Sequence, residues 1–197
     1  MKPYFLTHPV GLLYLFALLG WYFLELGQLA RQQQWRQDAT TVGPRSFWPA
    51  YAACVVAAIV VISVAPHAWP GADIGHPAAA FATGMVLLVA GAALRLWSFH
   101  TLGQYFTFTV KVSPDQPVVA SGPYRVLRHP GYAGGLLAIA GIGLVNGNWI
   151  GMATIVLLWL ALIVWRIRFE ENALLTTLDG RYRAYASQHK RLVPLVW

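Results

Sequence analysis

The stretch GGLLAIAGIGLVNGNWIGMATIVLLWLALIVW, Gly134 to Trp165, contains no charged residue. Its polar interruption is Asn146-Gly147-Asn148-Trp149, a tight turn, because Asn and Gly tolerate left-handed backbone angles. The apolar runs on either side, Gly134–Val145 and Trp149–Trp165, therefore read as a helical hairpin with both outer ends on one side. The first arm is shorter than the roughly 20 apolar residues that a membrane span needs. It suits either a re-entrant segment or a thinned site. Within it, Gly141-Ile142-Gly143 resembles a nucleotide-binding glycine pattern. No strand precedes it, so close helix packing is the better reading.

Working outward, three further runs are long enough to span: Val10–Leu29, Phe47–Ala65 and Ala78–Trp97. The 197 residues are 57% apolar and 11% charged, with mean hydropathy +0.53. Soluble domains carry about 25% charged residues, so this chain has too little polar surface to coat a water-soluble globule. The expectation is an all-α integral membrane protein with five membrane helices, the last two forming the hairpin. It is expected to form one membrane domain, residues 1–197, with three spans in 1–98 and a cofactor-binding catalytic half in 99–197. Lys2 is a thin positive region and the run after it is too long for a signal-peptide core, so the first span is expected to be retained. The one cysteine, Cys54, lies in an apolar helix and leaves the redox compartment open. No metal site is expected.

The net charge is +7, but its distribution argues against nucleic acid as a partner. Arg31, Arg36 and Arg45 follow the first span. Arg95, near the end of the third span, is followed by Lys111, Arg125 and Arg128. Arg166, Arg168, Arg181, Arg183, Lys190 and Arg191 follow the hairpin. That places 13 of the 14 basic residues on one side and Lys2 alone on the other. Positive charge marks the cytoplasmic side, so the N-terminus is expected outside and the C-terminus in the cytoplasm.

Two polar segments then meet at that cytoplasmic boundary. Leu102–Tyr132 begins with an alternating, strand-like run, Tyr105–Val112, and its four prolines forbid one long helix. A passage of that length without regular structure is uncommon unless functional. In Trp165–Tyr185 the last helix is expected to continue, because Ile167, Leu174, Leu175 and Leu178 keep an apolar stripe up to a stop at Gly180. Arg166 and Glu170 share a face of that helix, which allows an ordinary surface pair. His129-Pro130 suits a helix start, and Tyr182 and Tyr185 read as interfacial aromatics. Charge at a membrane boundary is costly unless satisfied, and here two such clusters converge. The residues thus imply a polar pocket at the mouth of an apolar bundle, formed by the loop before helix four and the C-terminal helices.

The order Val-Val-Ala-Ser-Gly-Pro-Tyr-x-x-x-Arg-His-Pro-x-Tyr-x-Gly (Val118 to Gly134), then a hairpin, then Arg-x-x-x-Glu-Glu (Arg166 to Glu171), Tyr-x-x-Tyr and Leu-Val-Pro resembles the isoprenylcysteine carboxyl methyltransferase family. The likeness runs from Leu102 onward. It implies a helical membrane bundle that uses S-adenosylmethionine at the cytoplasmic side. By the same resemblance, Lys111, Val118 and Val119 would line the cofactor and Tyr124 would pack near it. His129, Pro130 and Tyr132 would hold its adenosine or amino-acid end. Glu170 would bind its positively charged part, Arg166 would face the substrate, and Arg128 would steady the pocket or the substrate anion. The sequence departs from the family at Gly131, where Ser is common, and at Asp179-Gly180, where Gly followed by an acid is frequent. The acceptor implied is the carboxylate of a prenylated, isoprenylcysteine-like substrate reached through membrane lipid. A small lipid acceptor (phenolic lipid, phospholipid amine or thiol) and a sterol-reductase-like oxidoreductase are the competing readings. A transporter fits less well, because the first three spans carry almost no polar residue at mid-depth.

Overall fold

A computed structural model describes residues 3–33, 40–41, 46–106, 111–194 and 197; of Leu29, Arg31, Gln32, Gln33, Thr40, Thr41 and Lys111 only the backbone is described. Among the described residues the chain is helical, in the order α1 (Tyr4–Thr7), α2 (Gly11–Gln33), α3 (Phe47–Ala68), α4 (Pro77–Leu102), α5 (Pro130–Val145), α6 (Trp149–Leu178) and α7 (Gly180–Gln188). Two short strands, β1 (Thr40–Thr41) and β2 (Lys111–Val112), pair antiparallel. They tie the α2–α3 connection to the long loop after α4. The expected strand-like run thus survives at its C-terminal end; its first residue, Tyr105, instead closes a 3-10 turn (Gly103–Tyr105) that follows α4, and residues 107–110 lie outside the described residues.

Four helices, α2, α3, α4 and α6, are long and apolar enough to cross a membrane. α5 is the expected short arm of the hairpin. It reaches 16 residues by starting at Pro130 rather than Gly134, still below the roughly 20 of a full span. Apolar side chains such as Phe16, Phe23, Val56, Val86 and Leu157 face outward, as lipid-facing positions do.

Local chemistry explains the helix boundaries. Pro77 and Pro130 open α4 and α5 at the first turn, where no amide donor is missed. Gly103, at φ 54°, ends α4 in a conformation that glycine adopts without strain. Asn148 caps α6 by accepting from the Gly151 amide at 3.0 Å. Its side-chain amide also donates to the Trp69 carbonyl and the Asp73 carboxylate, both at 3.0 Å. The hairpin turn is therefore knotted to the α3–α4 connection. α6 runs on through the apolar stripe, as expected, but it ends at Leu178, two residues before Gly180. The reversal falls on Asp179, at φ 40°, and Gly180 begins α7.

α4 and α5 pack antiparallel with their backbones in contact. A Cβ at Gly84 would stand 2.7 Å from the Gly141 carbonyl oxygen, and one at Gly91 would stand 2.5 Å from that of Gly134. The reciprocal distances are 2.5 Å from Gly141 to the Gly84 oxygen and 2.7 Å from Gly134 to the Gly91 oxygen. Two pairs of glycines, each seven residues apart, thus make one seam. Without a hydrophobic drive between helices in lipid, such close packing supplies the association. It also fixes the start of α5 beside the last turns of α4.

Candidate functional site

At the end of the bundle where α4 finishes and α5 begins lies a cleft of about 830 Å³, open mouth included. Its walls come from the 112–119 loop, the turn at Tyr124, the first turn of α5, the end of α6 and α7. Of the residues expected from the sequence, Val118, Val119, Tyr124, Arg128, His129, Tyr132 and Glu170 line it together. Pro130 and Arg166 stand behind the wall; Pro130 is buried at the head of α5. The side chain of Lys111 lies outside the described residues.

Arg166 and Glu170 are not a surface pair. Arg166 is only 7% exposed, and its guanidinium lies over the Phe47 ring at 4.4 Å. Its Nε donates to the Tyr132 hydroxyl, and that hydroxyl donates to Glu170 Oε2 at 2.7 Å. The single turn between Arg166 and Glu170 leaves room for a phenol from α5 between them, which ties α6 to the first turn of α5.

Glu171, one residue on, faces a different set of donors. Its Oε1 accepts from Arg128 Nη1 at 2.7 Å and lies 3.3 Å from His129 Nε2; its Oε2 accepts from Arg191 Nε at 2.8 Å. Backbone bonds reinforce this. The amides of Arg128 and His129 donate to the carbonyls of Lys190 and Arg191 at 2.8 and 3.0 Å. The C-terminal segment therefore lies alongside the Arg-His-Pro motif. With its carboxylate committed to three basic partners, Glu171 braces the site. Arg128 Nε, by contrast, is buried with no hydrogen-bond partner among the described residues.

Tyr182 and Tyr185, expected as interfacial aromatics, are instead buried at 5% and 9% exposure and line the cleft. Their three-residue spacing puts both on one face of α7, and that face packs inward because the Tyr185 hydroxyl donates to the Tyr124 carbonyl at 2.8 Å. Burial pushes the Tyr185 phenol up to about 12, with the Arg128 charge pulling the other way, and burial raises Tyr124 and Tyr182 as well. All three stay neutral at pH 7, as hydrogen-bond donors and flat apolar walls. Arg181 closes the arrangement by donating to the Pro114 and Gln116 carbonyls, which holds the loop against α7. The Arg191 contact had no sequence signal, because it depends on where the tail returns.

A profile of the phospholipid methyltransferase family matches residues 79–179, 101 of the 197. The chain belongs to that family. Protein-S-isoprenylcysteine O-methyltransferase B of Arabidopsis thaliana is 30% identical over 120 residues, which is 57% of this chain and 58% of that protein. The uncharacterized protein YpbQ of Bacillus subtilis is 33% identical over 81 residues, 41% of this chain and 48% of that one. Among solved structures, the eukaryotic intramembrane Ras methyltransferase ICMT, an isoprenylcysteine carboxyl methyltransferase, superposes with a TM-score of 0.63 at 25% identity. That alignment covers 79% of this chain and 55% of that one. The chain thus spans a little over half the length of the methyltransferases it matches. The resemblance read in the C-terminal half agrees with these relatives, and so does the all-α membrane fold. The phospholipid methyltransferase family member described here is an integral membrane protein.

Proposed function

We propose that this chain is an S-adenosylmethionine-dependent carboxyl methyltransferase. It acts at the cytoplasmic boundary of a membrane, on the carboxylate of a prenylated, isoprenylcysteine-like substrate. One observation carries the reading: a single cleft presents a carboxylate, Glu170, and a buried guanidinium nitrogen, Arg128 Nε, that lacks a partner among the described residues. A zwitterionic amino-acid group needs those two opposite charges. Glu170 would hold its ammonium and Arg128 its carboxylate, with Val118, Val119, Tyr124 and Tyr182 as the apolar and aromatic walls. When bound, the cofactor supplies an electrophilic methyl group.

The remaining chemistry belongs to the chain. A substrate carboxylate, with a free pKa of about 4, is ionised at neutral pH and needs no general base. That suits a site whose Glu171 is already engaged by Arg128, His129 and Arg191 and whose tyrosines are neutral. Catalysis would then consist of positioning and exclusion of water. Arg166, behind Tyr132 and beside Phe47, would orient the anion from the lipid side. The names of the relatives support the acceptor class, and the basic asymmetry supports a cytoplasmic cleft.

Calorimetry with S-adenosylhomocysteine tests the cofactor half. The parent should bind, and Glu170→Gln should lose about 1.5–3 kcal/mol, the worth of a charge-assisted contact. Equal affinity in the variant would remove Glu170 from that role. Methyl transfer to a prenylcysteine tests the acceptor half. Transfer to a phospholipid amine alone would overturn the acceptor, and binding of a nicotinamide cofactor instead would overturn the enzyme class.

A further inference from the structure

We propose that Glu25 on α2 and Arg95 on α4 form a positioning pair for the cleft, acting on it through the first turn of α5. The Arg95 guanidinium divides its donors between two targets. Nε and Nη2 grip the Glu25 carboxylate, the latter at 2.9 Å, and Nη1 donates to the Gly131 carbonyl at 2.8 Å. Both side chains are largely buried, at 10% and 14% exposure. The guanidinium is held between the Phe99 ring at 4.8 Å and the Trp21 ring at 5.8 Å.

The close α4–α5 packing brings Arg95 against the start of α5. A Cβ at Gly134 would lie 2.9 Å from the Arg95 backbone nitrogen, and one at Gly135 would lie 3.6 Å from Nη1. Gly131 lines the cleft and directly precedes Tyr132, whose hydroxyl joins Arg166 to Glu170. A guanidinium fixed on the Gly131 carbonyl sets the rotation of that turn, and with it the direction of the Tyr132 ring. Glu25 aims the guanidinium and neutralises it, so that Arg95 does not compete for Glu170.

A pair that only tied α2 to α4 could be exchanged for apolar residues of similar size at no loss, because desolvation offsets most of the attraction in a buried ion pair. A positioning pair could not. The two roles separate in an Arg95→Met/Glu25→Leu double variant, read by its melting temperature in detergent and by the fluorine resonance of 3-fluorotyrosine incorporated at position 132. Affinity for S-adenosylhomocysteine is the third readout, and it alone rests on the proposed function. Expected are a melting temperature close to the parent's, a shifted and broadened fluorine resonance, and about tenfold weaker binding, or roughly 1.4 kcal/mol. Arg95→Lys serves where the double variant does not fold. It keeps the charge and the link to α2, but one ammonium cannot reproduce the fork to Glu25 together with the Gly131 contact. It should show the same fluorine change. A parental Tyr132 resonance in the folded variants overturns the proposal whatever their affinity. Absence of binding by the parent overturns the functional reading instead, and the fluorine readout still decides the positioning role.

Discussion

The hydroxyl of Tyr132 is the atom on which the cleft turns, since it receives from Arg166 and gives to Glu170 at 2.7 Å. If that chain of bonds presents Glu170, the effects of removing the hydroxyl and the carboxylate cannot be independent. In S-adenosylhomocysteine binding, Tyr132→Phe and Glu170→Gln should couple by about 0.5–3 kcal/mol, the range for residues in one network. Additive losses would mean that Glu170 is held by something else. The sequence showed that Arg166 and Glu170 share a helix face, because periodicity gives that directly. It could not show a third residue between them, because that residue comes from another helix. A second position departs from its own sequence rule. Asp179 is the one non-glycine among the described residues with positive φ, at a place where the resembled family often has glycine. Its ion pair with Arg183 spans 3.6 Å between side chains 73% and 82% exposed, so little is lost with it. Asp179→Gly should raise stability by on the order of 1 kcal/mol by relieving backbone strain. Asp179→Ala should lower it. Thermal melts in detergent compare the two directly.

Among the elements, the α4–α5 seam makes the sharpest demand on residue type. A methyl group at Gly84, Gly91, Gly134 or Gly141 would sit within 2.5–2.7 Å of a backbone oxygen on the facing helix, and backbone cannot step aside as a side-chain tip can. Each Gly→Ala change there should cost about 1–3 kcal/mol. At Gly20 and Gly27 of α2, nothing lies within 4 Å of the added methyl. Alanine there should be neutral, or stabilising by up to about 1 kcal/mol through helix propensity. Equal effects at both sets would dissolve the seam. At the far end, the Asn148 bond holds the Asp73 carboxyl below its usual range. A depressed folded-state value contributes stability that is complete above the unfolded pKa, about 3.9, and is lost as pH falls through the folded value. Asn148→Ala should flatten that acid limb of a stability–pH curve. The long helices were legible because hydropathy and length determine them. The inward face of α7 was not, because Tyr-x-x-Tyr looks the same at a lipid interface as in a cleft wall. What decides between them is the Tyr185–Tyr124 bond across the site.

For the whole molecule, the fold links charge, cleft and membrane side into one claim. Tyr14 meets Asn146, and Asp73 meets Asn148, so the N-terminal start of α2, the α3–α4 connection and the hairpin turn share one end. Glu25 meets Arg95, Arg95 meets Gly131, and Phe47 meets Arg166, so the opposite end holds the cleft. Arg125, Arg128, Arg168, Arg181, Arg183, Lys190 and Arg191 belong to segments at that cleft end. The basic residues therefore lie at the same end that the proposed cytosolic cofactor would have to reach. A reporter active only in the cytoplasm should work when fused after Trp197, and one active only outside should work when inserted near Asp73. The two fusions test more than orientation. With signals reversed, Glu170 and Arg128 would open away from the compartment where S-adenosylmethionine is made, and the cofactor assignment would fall together with the topology. With signals as expected, the proposed polar cofactor and lipid-borne acceptor would approach the cleft from different phases. Under the proposed function, the acceptor's reactive end would come to the methyl group along the boundary, on the side of Phe47 and Arg166. On that basis, shortening the substrate's isoprenoid chain should raise KM far more than it lowers kcat, because the chain's burial in lipid delivers the carboxylate without taking part in the transfer. A kcat that falls in step with chain length, at unchanged KM, would place the chain inside the reacting complex and refute delivery along the boundary.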